Sequence, residues 1–117
     1  PSYALLDEAY FLTRQQIAWY HEQFLPDGVD RGDLRLGPAL AKDFGGLPPA
    51  LIVTAEFDPL RDDGKHYGEL LNAAGVPVEH TCYDGMIHGF FHYGKTIDAA
   101  TAALNQVVDA LKRAFAG

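Results

Sequence analysis

Apolar residues form two different strand patterns in the central part of the chain. Residues 50–55 are a short, uninterrupted apolar run rich in β-branched side chains, which is typical of a parallel strand covered on both faces. Residues 76–83 alternate in character with a period of two, and the early Pro77 favours a strand start or the edge of a sheet. We therefore expect two strands, near 50–55 and 76–83.

Three other segments repeat their apolar residues at helical spacing. The first covers residues 13–25, where Thr13 and Gln16 form a capping-box pattern. The second covers residues 61–74 and stops at Gly75, while the third covers residues 96–115. A strand, a helix and a strand in this order predict a βαβ unit, and hence an α/β fold with a parallel sheet.

The remaining segments have no clear period. Residues 1–12 are predicted to be a loop with aromatic anchors. Residues 26–46 are rich in Gly, Asp and Pro and predict a connecting loop, longer than compact domains usually tolerate without a functional or packing role. We interpret Cys82 as a small buried apolar residue of the second strand. The aromatic residues of the first helix are interpreted as packing residues, namely Trp19, Tyr20 and Phe24.

Composition restricts the class of protein. The chain has 117 residues, is 48% hydrophobic and carries a formal charge of -7, which indicates one globular unit or a piece of one. Its nine basic residues are scattered, so we predict no nucleic-acid partner. No apolar run approaches the roughly 20 residues that span a bilayer. The single Cys excludes an internal disulfide and favours a cytoplasmic location. Because the chain lacks an initiator Met, we expect further residues upstream.

Two residues are placed where chemistry is expected. Asp58 directly follows the first strand, and Pro59 keeps it out of helical geometry. His88 follows the second strand, between small and apolar residues. The carboxyl ends of parallel strands lie at one edge of the sheet, so a side-chain oxygen of Asp58 should lie about 2.6 to 3.2 Å from a ring nitrogen of His88. Such a pair is the acid and base part of a nucleophilic triad, without its nucleophile.

The same residues carry a resemblance to a known family. Residues 58–62 (Asp-Pro-Leu-Arg-Asp) and 85–90 (Gly-Met-Ile-His-Gly-Phe) resemble the acid and histidine motifs of the α/β-hydrolase esterases and lipases similar to hormone-sensitive lipase, the bacterial family IV. Residues 47–50 and 74–78 also match that family's pattern. Asp84, where Pro is common, and residues 37–39 (Gly-Pro-Ala), where Ser-Pro-Leu is usual, depart from it in loop positions only.

The resemblance implies that residues 1–117 are the C-terminal portion of one α/β-hydrolase catalytic domain. The family's nucleophile elbow and glycine-rich oxyanion motif lie upstream of this region, and the only serine, Ser2, lies outside any such motif. By resemblance, Asp58 is the triad acid and His88 the base of a hydrolase acting on short- to medium-chain acyl esters without a cofactor. Phe90 and Phe91, beside the histidine, are candidates for substrate contacts.

The resemblance also implies two partners. One is a second copy of the protein, paired along the edge of strand 76–83 in a homodimer, and the other is the missing N-terminal portion of the same protein.

Two other functions remain open. The chain could be a non-catalytic interaction module that lacks a nucleophile. It could also use Asp58 and neighbouring acids for metal chemistry, since Asp62 and His66 share a helix face; without further convergent ligands we predict no metal site. The remaining histidines are interpreted as non-catalytic, namely His21, His66, His80 and His92.

Overall fold

The computed structural model describes residues 2–6 and 10–116. Within these described residues, two strands and four α-helices follow one another, with short 3₁₀ turns at Pro38–Leu40 and Phe90–Tyr93. The elements are α1 (Ser2–Leu5), α2 (Arg14–Phe24), β1 (Ala50–Phe57), α3 (Arg61–Ala73), β2 (Val78–Ile87) and α4 (Asp98–Phe115). The predicted α/β class is confirmed, and the three predicted helices are found with ends shifted by at most two residues.

β1 and β2 are parallel neighbours, with Ala50 opposite Val78 and Ala55 opposite Tyr83. Helix α3 joins them and packs on one face of the pair, and α4 covers the other face, where Ala55 is buried together with Ala100 and Ala103. Both faces of β1 are therefore covered, as its unbroken apolar pattern predicts.

The second strand is longer than predicted. It begins at Val78, after Pro77, and runs to Ile87 instead of ending at residue 83. Ala55 pairs with Tyr83 but Phe57 pairs with Ile87, so the strands are out of step between these pairs and β2 bulges there. Gly85 adopts a φ of 73° within the bulge. A glycine with a positive φ can therefore be part of a bulged strand instead of a turn.

Helix α2 begins with the predicted capping box, but it buries fewer of its apolar side chains than predicted. The Oγ of Thr13 accepts a hydrogen bond from the amide of Gln16, whose side chain accepts one from the amide of Thr13. Only Ile17 is buried in this helix. The three aromatic side chains interpreted as packing residues are 54 to 76% exposed, so that interpretation is wrong for the chain as described. Periodicity identifies an apolar face, but not what covers it.

Two further expectations are corrected. Ser2–Leu5 is a helical turn where a loop was predicted, because one turn is too short to show a period; residues 1 and 7–9 of that predicted loop lie outside the described residues. Cys82 is exposed instead of buried. Cys82 follows the alternation of β2 and lies on the same face of the strand as Val78. Helix α3 covers this face at its start, where Gly68 approaches Val78, and leaves it uncovered at Cys82.

Close packing of α3 on β1 depends on Gly64. A Cβ atom built at this glycine lies 2.7 Å from the Cγ2 of Thr54. Thr54 cannot easily turn away, because it is buried and its Oγ1 lies 3.0 Å from the Nε2 of His80. Gly68 lies one turn further along, and its Cβ would meet the terminal Cδ1 of Ile52 at 3.1 Å, a contact that a rotation of the isoleucine can relieve.

We therefore expect Gly64→Ala to lower the free energy of unfolding by about 1 to 3 kcal/mol through overpacking. Gly68→Ala is the matched control, because the better helix propensity of Ala, up to about 1 kcal/mol, offsets its milder contact. Urea unfolding of the full-length protein measures both variants. Equal stabilities for the two variants would contradict this account of the helix–strand contact.

Among residues 2–6 and 10–116, no helix is both long and apolar enough to cross a membrane.

Candidate active site

The turn between β1 and α3 holds Asp58. This residue follows the last residue of β1 and is only 9% exposed. Its Oδ1 accepts a hydrogen bond from the amide of Leu60 at 2.8 Å, and its carbonyl accepts one from the amide of Arg61 at 3.0 Å. A side chain that bonds the amide two residues ahead is a common turn device of Asp. This bond fixes one carboxylate oxygen and leaves the other to face the sheet edge.

His88 occupies the corresponding position after β2. It directly follows Ile87, the last residue of the strand, and is followed by Gly89 with a φ of 74°. The left-handed glycine turns the chain into the 3₁₀ turn Phe90–Tyr93. The side chain of His88 is 39% exposed, so its ring is anchored at one end and accessible from outside.

The two side chains meet as predicted: the Nδ1 of His88 lies 2.9 Å from the Oδ2 of Asp58. An ionised carboxylate only accepts hydrogen bonds, so the tautomer of His88 that fits this contact carries its proton on Nδ1. The other ring nitrogen, Nε2, has no hydrogen-bond partner within the described part of the chain. This arrangement orients the imidazole and leaves Nε2 available as a general base.

A second link between the strands was not predicted from sequence. The carboxylate of Glu56 accepts a hydrogen bond from the amide of Gly85 at 2.7 Å, across the bulge. The carbonyl of Glu56 accepts another from the guanidinium of Arg61 at 3.0 Å. Glu56 therefore contacts both the segment that leads to His88 and the turn that carries Asp58. Nothing local in the sequence marks a contact between positions so far apart.

A cavity of about 210 Å³ adjoins the Asp58–His88 pair. Its walls are mostly apolar and are formed by Val53, Thr54, Ala55, Asp58, His88, Gly89, Phe90 and Phe91. Phe90 is 4% exposed and packs against Tyr83, with ring centroids 5.3 Å apart, so it belongs to the core as well as to the wall. Phe91 is 37% exposed and is the more accessible of the two predicted substrate contacts.

The segment before α2 also reaches this region. Phe11 has a φ of 63°, and the amide of Leu12 bonds the carbonyl of Tyr10 at 2.7 Å, which makes a γ-turn around Phe11. Such a turn is rare and strained for a side chain of this size. Tyr10 stacks on Phe57 at 4.8 Å, and the ring of Phe11 lies near Gly89. The sequence pattern predicts these aromatics only as anchors of a loop.

No group of three or more His, Cys, Asp or Glu converges on a point that could hold a metal, as far as the structure describes the chain. Asp62, which shares a helix face with His66, accepts hydrogen bonds from the amide of Ser2 and from Arg61. These two contacts, in that order of importance, hold the pKa of Asp62 below its usual value.

Comparison with known proteins gives matches across the chain. The sequence model of a family described as alpha/beta hydrolase fold matches residues 1–92. The carboxylic ester hydrolase LipN of Mycobacterium tuberculosis is 40% identical over 112 residues, which cover 95% of this chain and 30% of LipN. The ethyl acetate hydrolase of Pseudomonas putida is 35% identical over 113 residues, which cover 97% of this chain and 36% of that protein.

Solved structures agree with these sequence matches. The ester hydrolase EH1AB1 from the metagenome of Lake Arreo superposes with a TM-score of 0.93 at 38% identity, over 99% of this chain and 37% of that one. The thermostable carboxylesterase EstE1, cloned from a metagenomic library, gives a TM-score of 0.88 at 34% identity, over 96% and 38% of the two chains. The chain thus spans roughly a third of the length of these relatives.

Proposed function

Because this chain belongs to the alpha/beta hydrolase family, we propose that it supplies the acid and the base of a carboxylic ester hydrolase. The observation that carries the proposal is the 2.9 Å contact between the Nδ1 of His88 and the Oδ2 of Asp58 at the carboxyl ends of two parallel strands. The relatives named as ester hydrolases match nearly the whole chain. Residues 1–117 are, in this proposal, the C-terminal portion of a single catalytic domain.

In the proposed reaction the imidazole of His88 first accepts a proton and then donates it. The Nε2 of His88 takes the proton of a serine hydroxyl, supplied by the rest of the protein, as its oxygen attacks the ester carbonyl. The imidazolium then gives that proton to the leaving alkoxide, which departs as the alcohol. Water repeats the sequence on the acyl-serine and releases the acid. Asp58 stays ionised and stabilises the imidazolium through Nδ1–H.

We propose small esters with short to medium acyl chains as substrates. The cavity of about 210 Å³ next to His88 has mostly apolar walls, which suit an uncharged acyl or alkoxy group. Phe91 is the accessible aromatic side chain at this wall and Phe90 supports it from the core. The name of the Pseudomonas putida relative, an ethyl acetate hydrolase, supports a small substrate.

The division of the machinery is tested by comparing the full-length protein with these 117 residues. We expect turnover of a short-chain p-nitrophenyl ester by the full-length protein only. In this proposal the nucleophilic serine and the oxyanion donors come from the rest of the protein, and each lost donor alone costs about 10²- to 10³-fold in rate. Circular dichroism of the isolated chain is the control for folding. Enzymatic turnover by the isolated chain would reject the proposed division, and an inactive full-length protein would reject the proposed activity.

We propose a homodimer built along the outer edge of β2. In the described residues this strand pairs only with β1, so the outer edge of Val78–Ile87 presents unpaired backbone groups that can template a second strand. We expect light scattering of the full-length protein at micromolar concentration to give twice the mass of one chain. A monomer under these conditions contradicts the proposal.

We further propose a cytoplasmic location. Its support is the single cysteine of this chain, an exposed free thiol, since exposed thiols without partners suit a reducing compartment. Cell fractionation with an antibody to the protein tests it.

A further inference from the structure

The only serine of the chain has no exposed surface. Ser2 has a relative exposure of 0%, although it is a polar residue in a helix of one turn. It lies against the turn that follows β1, far along the sequence. A buried hydroxyl is costly unless its hydrogen bonds are satisfied, so its partners indicate why it is there.

Three hydrogen bonds join Ser2 to that turn. Its Oγ donates to the carbonyl of Pro59 at 2.8 Å and accepts from the amide of Asp62 at 3.0 Å. Its own amide donates to the Oδ2 of Asp62 at 2.6 Å. Helix α3 lacks a side-chain cap from its own N-cap residue, Leu60. The hydroxyl of Ser2 therefore supplies, from a distant segment, an acceptor that the first turn of a helix requires.

The hydrogen bonds of Ser2 lie on both sides, in sequence, of the Leu60 amide that orients Asp58. The Oδ1 of Asp58 accepts from the amide of Leu60, and its Oδ2 faces His88. Ser2 binds the residue before Leu60 and the second residue after it, Pro59 and Asp62. If the turn relaxes, the amide of Leu60 moves and the carboxylate of Asp58 turns with it.

Arg61 also connects the Pro59–Asp62 turn to β1. Arg61 donates to the Oδ1 of Asp62 at 3.0 Å and to the carbonyl of Glu56 at 3.0 Å. The Ser2 amide and the Arg61 guanidinium lower the pKa of Asp62, so this carboxylate is ionised at neutral pH. The stabilisation is present above the ordinary pKa of Asp and is lost as the pH falls through the lower folded-state value.

From these contacts we infer that Ser2 is a positioning residue: it clamps the Pro59–Asp62 turn and so holds the Asp58 carboxylate on His88. Ser2 touches no reacting atom and acts through Asp58 alone. Tests of this inference that measure turnover rest on the proposed function. Tests that measure the Asp58–His88 contact directly do not depend on it.

The first test is a double-mutant cycle in the full-length protein. Misplacement of a catalytic group by about 1 Å can cost up to about 10²-fold, so we expect Ser2→Ala to lower kcat by about 10-fold with KM unchanged within about twofold. In an Asp58→Asn background the same change should lower kcat by less than about twofold. An equal loss in both backgrounds, or no loss in either, overturns the inference.

Thr13→Ala is the matched control, because it also removes a hydroxyl that caps a helix, α2, away from the acid turn. It should lower stability and leave kcat within about twofold. A loss of kcat in Thr13→Ala as large as that in Ser2→Ala means that helix capping in general supports activity, and this overturns a specific role of Ser2.

A readout without turnover separates this inference from the proposed function. The Nδ1–H proton of His88, held by a carboxylate, gives a low-field NMR resonance. We expect it to shift or broaden in Ser2→Ala and to stay in place in Thr13→Ala, whether or not the protein hydrolyses esters. An unshifted resonance in a folded Ser2→Ala variant contradicts the inference.

Asp62→Ala covers the case in which Ser2→Ala does not fold. It removes the acceptor of the Ser2 amide but keeps the backbone amide that binds the Ser2 hydroxyl, and the Asp62 side chain is 38% exposed. A several-fold loss of kcat, again absent in the Asp58→Asn background, agrees with the clamp. Unchanged kcat and an unchanged His88 resonance refute it.

Discussion

We expect His88→Ala in the full-length protein to lower kcat for a p-nitrophenyl ester by about 10⁴-fold or more, because in the proposed mechanism His88 takes the proton of the nucleophile. KM should change little, since the imidazole acts on the proton in the transition state and contributes little to ground-state binding. Steady-state kinetics with purified variants measures both parameters.

His92→Ala is the control for this substitution. His92 lies in the 3₁₀ turn Phe90–Tyr93, shortly after His88, and is exposed. Its ring packs edge to face on Phe91, with centroids 6.5 Å apart, and it forms no hydrogen bond or ion pair with Asp58. We expect its kcat to stay within about threefold of the wild type, as for most surface substitutions. Substantial activity in His88→Ala would remove this residue from the proposed mechanism.

Asp58→Asn should lower kcat by about 10³- to 10⁴-fold with little change in folding. The amide oxygen of Asn can still accept the bond from Leu60, which is 2.8 Å long in the native chain. The amide nitrogen, however, then faces the Nδ1 of His88 as a donor, which favours the tautomer with its proton on Nε2. That tautomer cannot act as a base at Nε2. Steady-state kinetics and thermal unfolding together separate this loss from a loss of structure.

Asp63→Asn is the matched control, because Asp63 is an exposed acid in the first turn of α3. It changes the charge by the same amount at a short distance from the site. The removal of a carboxylate near a helix N-terminus costs about 0.3 to 1 kcal/mol of stability, and we expect kcat within about twofold of the wild type. Equal activity losses for Asp58→Asn and Asp63→Asn would mean that net charge, not geometry, supports activity.

Sequence patterns predicted the order of elements from local signals, and they predicted the pair at the sheet edge from the direction of the two strands. The capping box of Thr13 and the stop at Gly75, whose φ is 80°, each involve residues close in sequence. The meeting of Asp58 and His88 follows from parallel topology alone. The features that could be predicted are therefore those that hydrophobic periodicity and strand direction determine.

The features that were missed depend on contacts between distant segments. The bulge in β2 involves the bond between Glu56 and Gly85, and the clamp on the acid turn involves Ser2. Neither contact leaves a periodic trace in the sequence. The exposed aromatic face of α2 was mispredicted for a related reason, since its amphipathic pattern carries no information about which element lies against it.

The exposed thiol of Cys82 gives β2 a natural labelling position. It is the single cysteine of the chain and lies on the strand that leads into the His88 loop. A nitroxide attached there would report the mobility of that strand by electron paramagnetic resonance. In two copies paired along β2, the two nitroxides would lie near the shared edge and broaden each other's spectra. One sulfur atom can therefore serve as a distance probe for strand pairing and as a monitor of order next to the site.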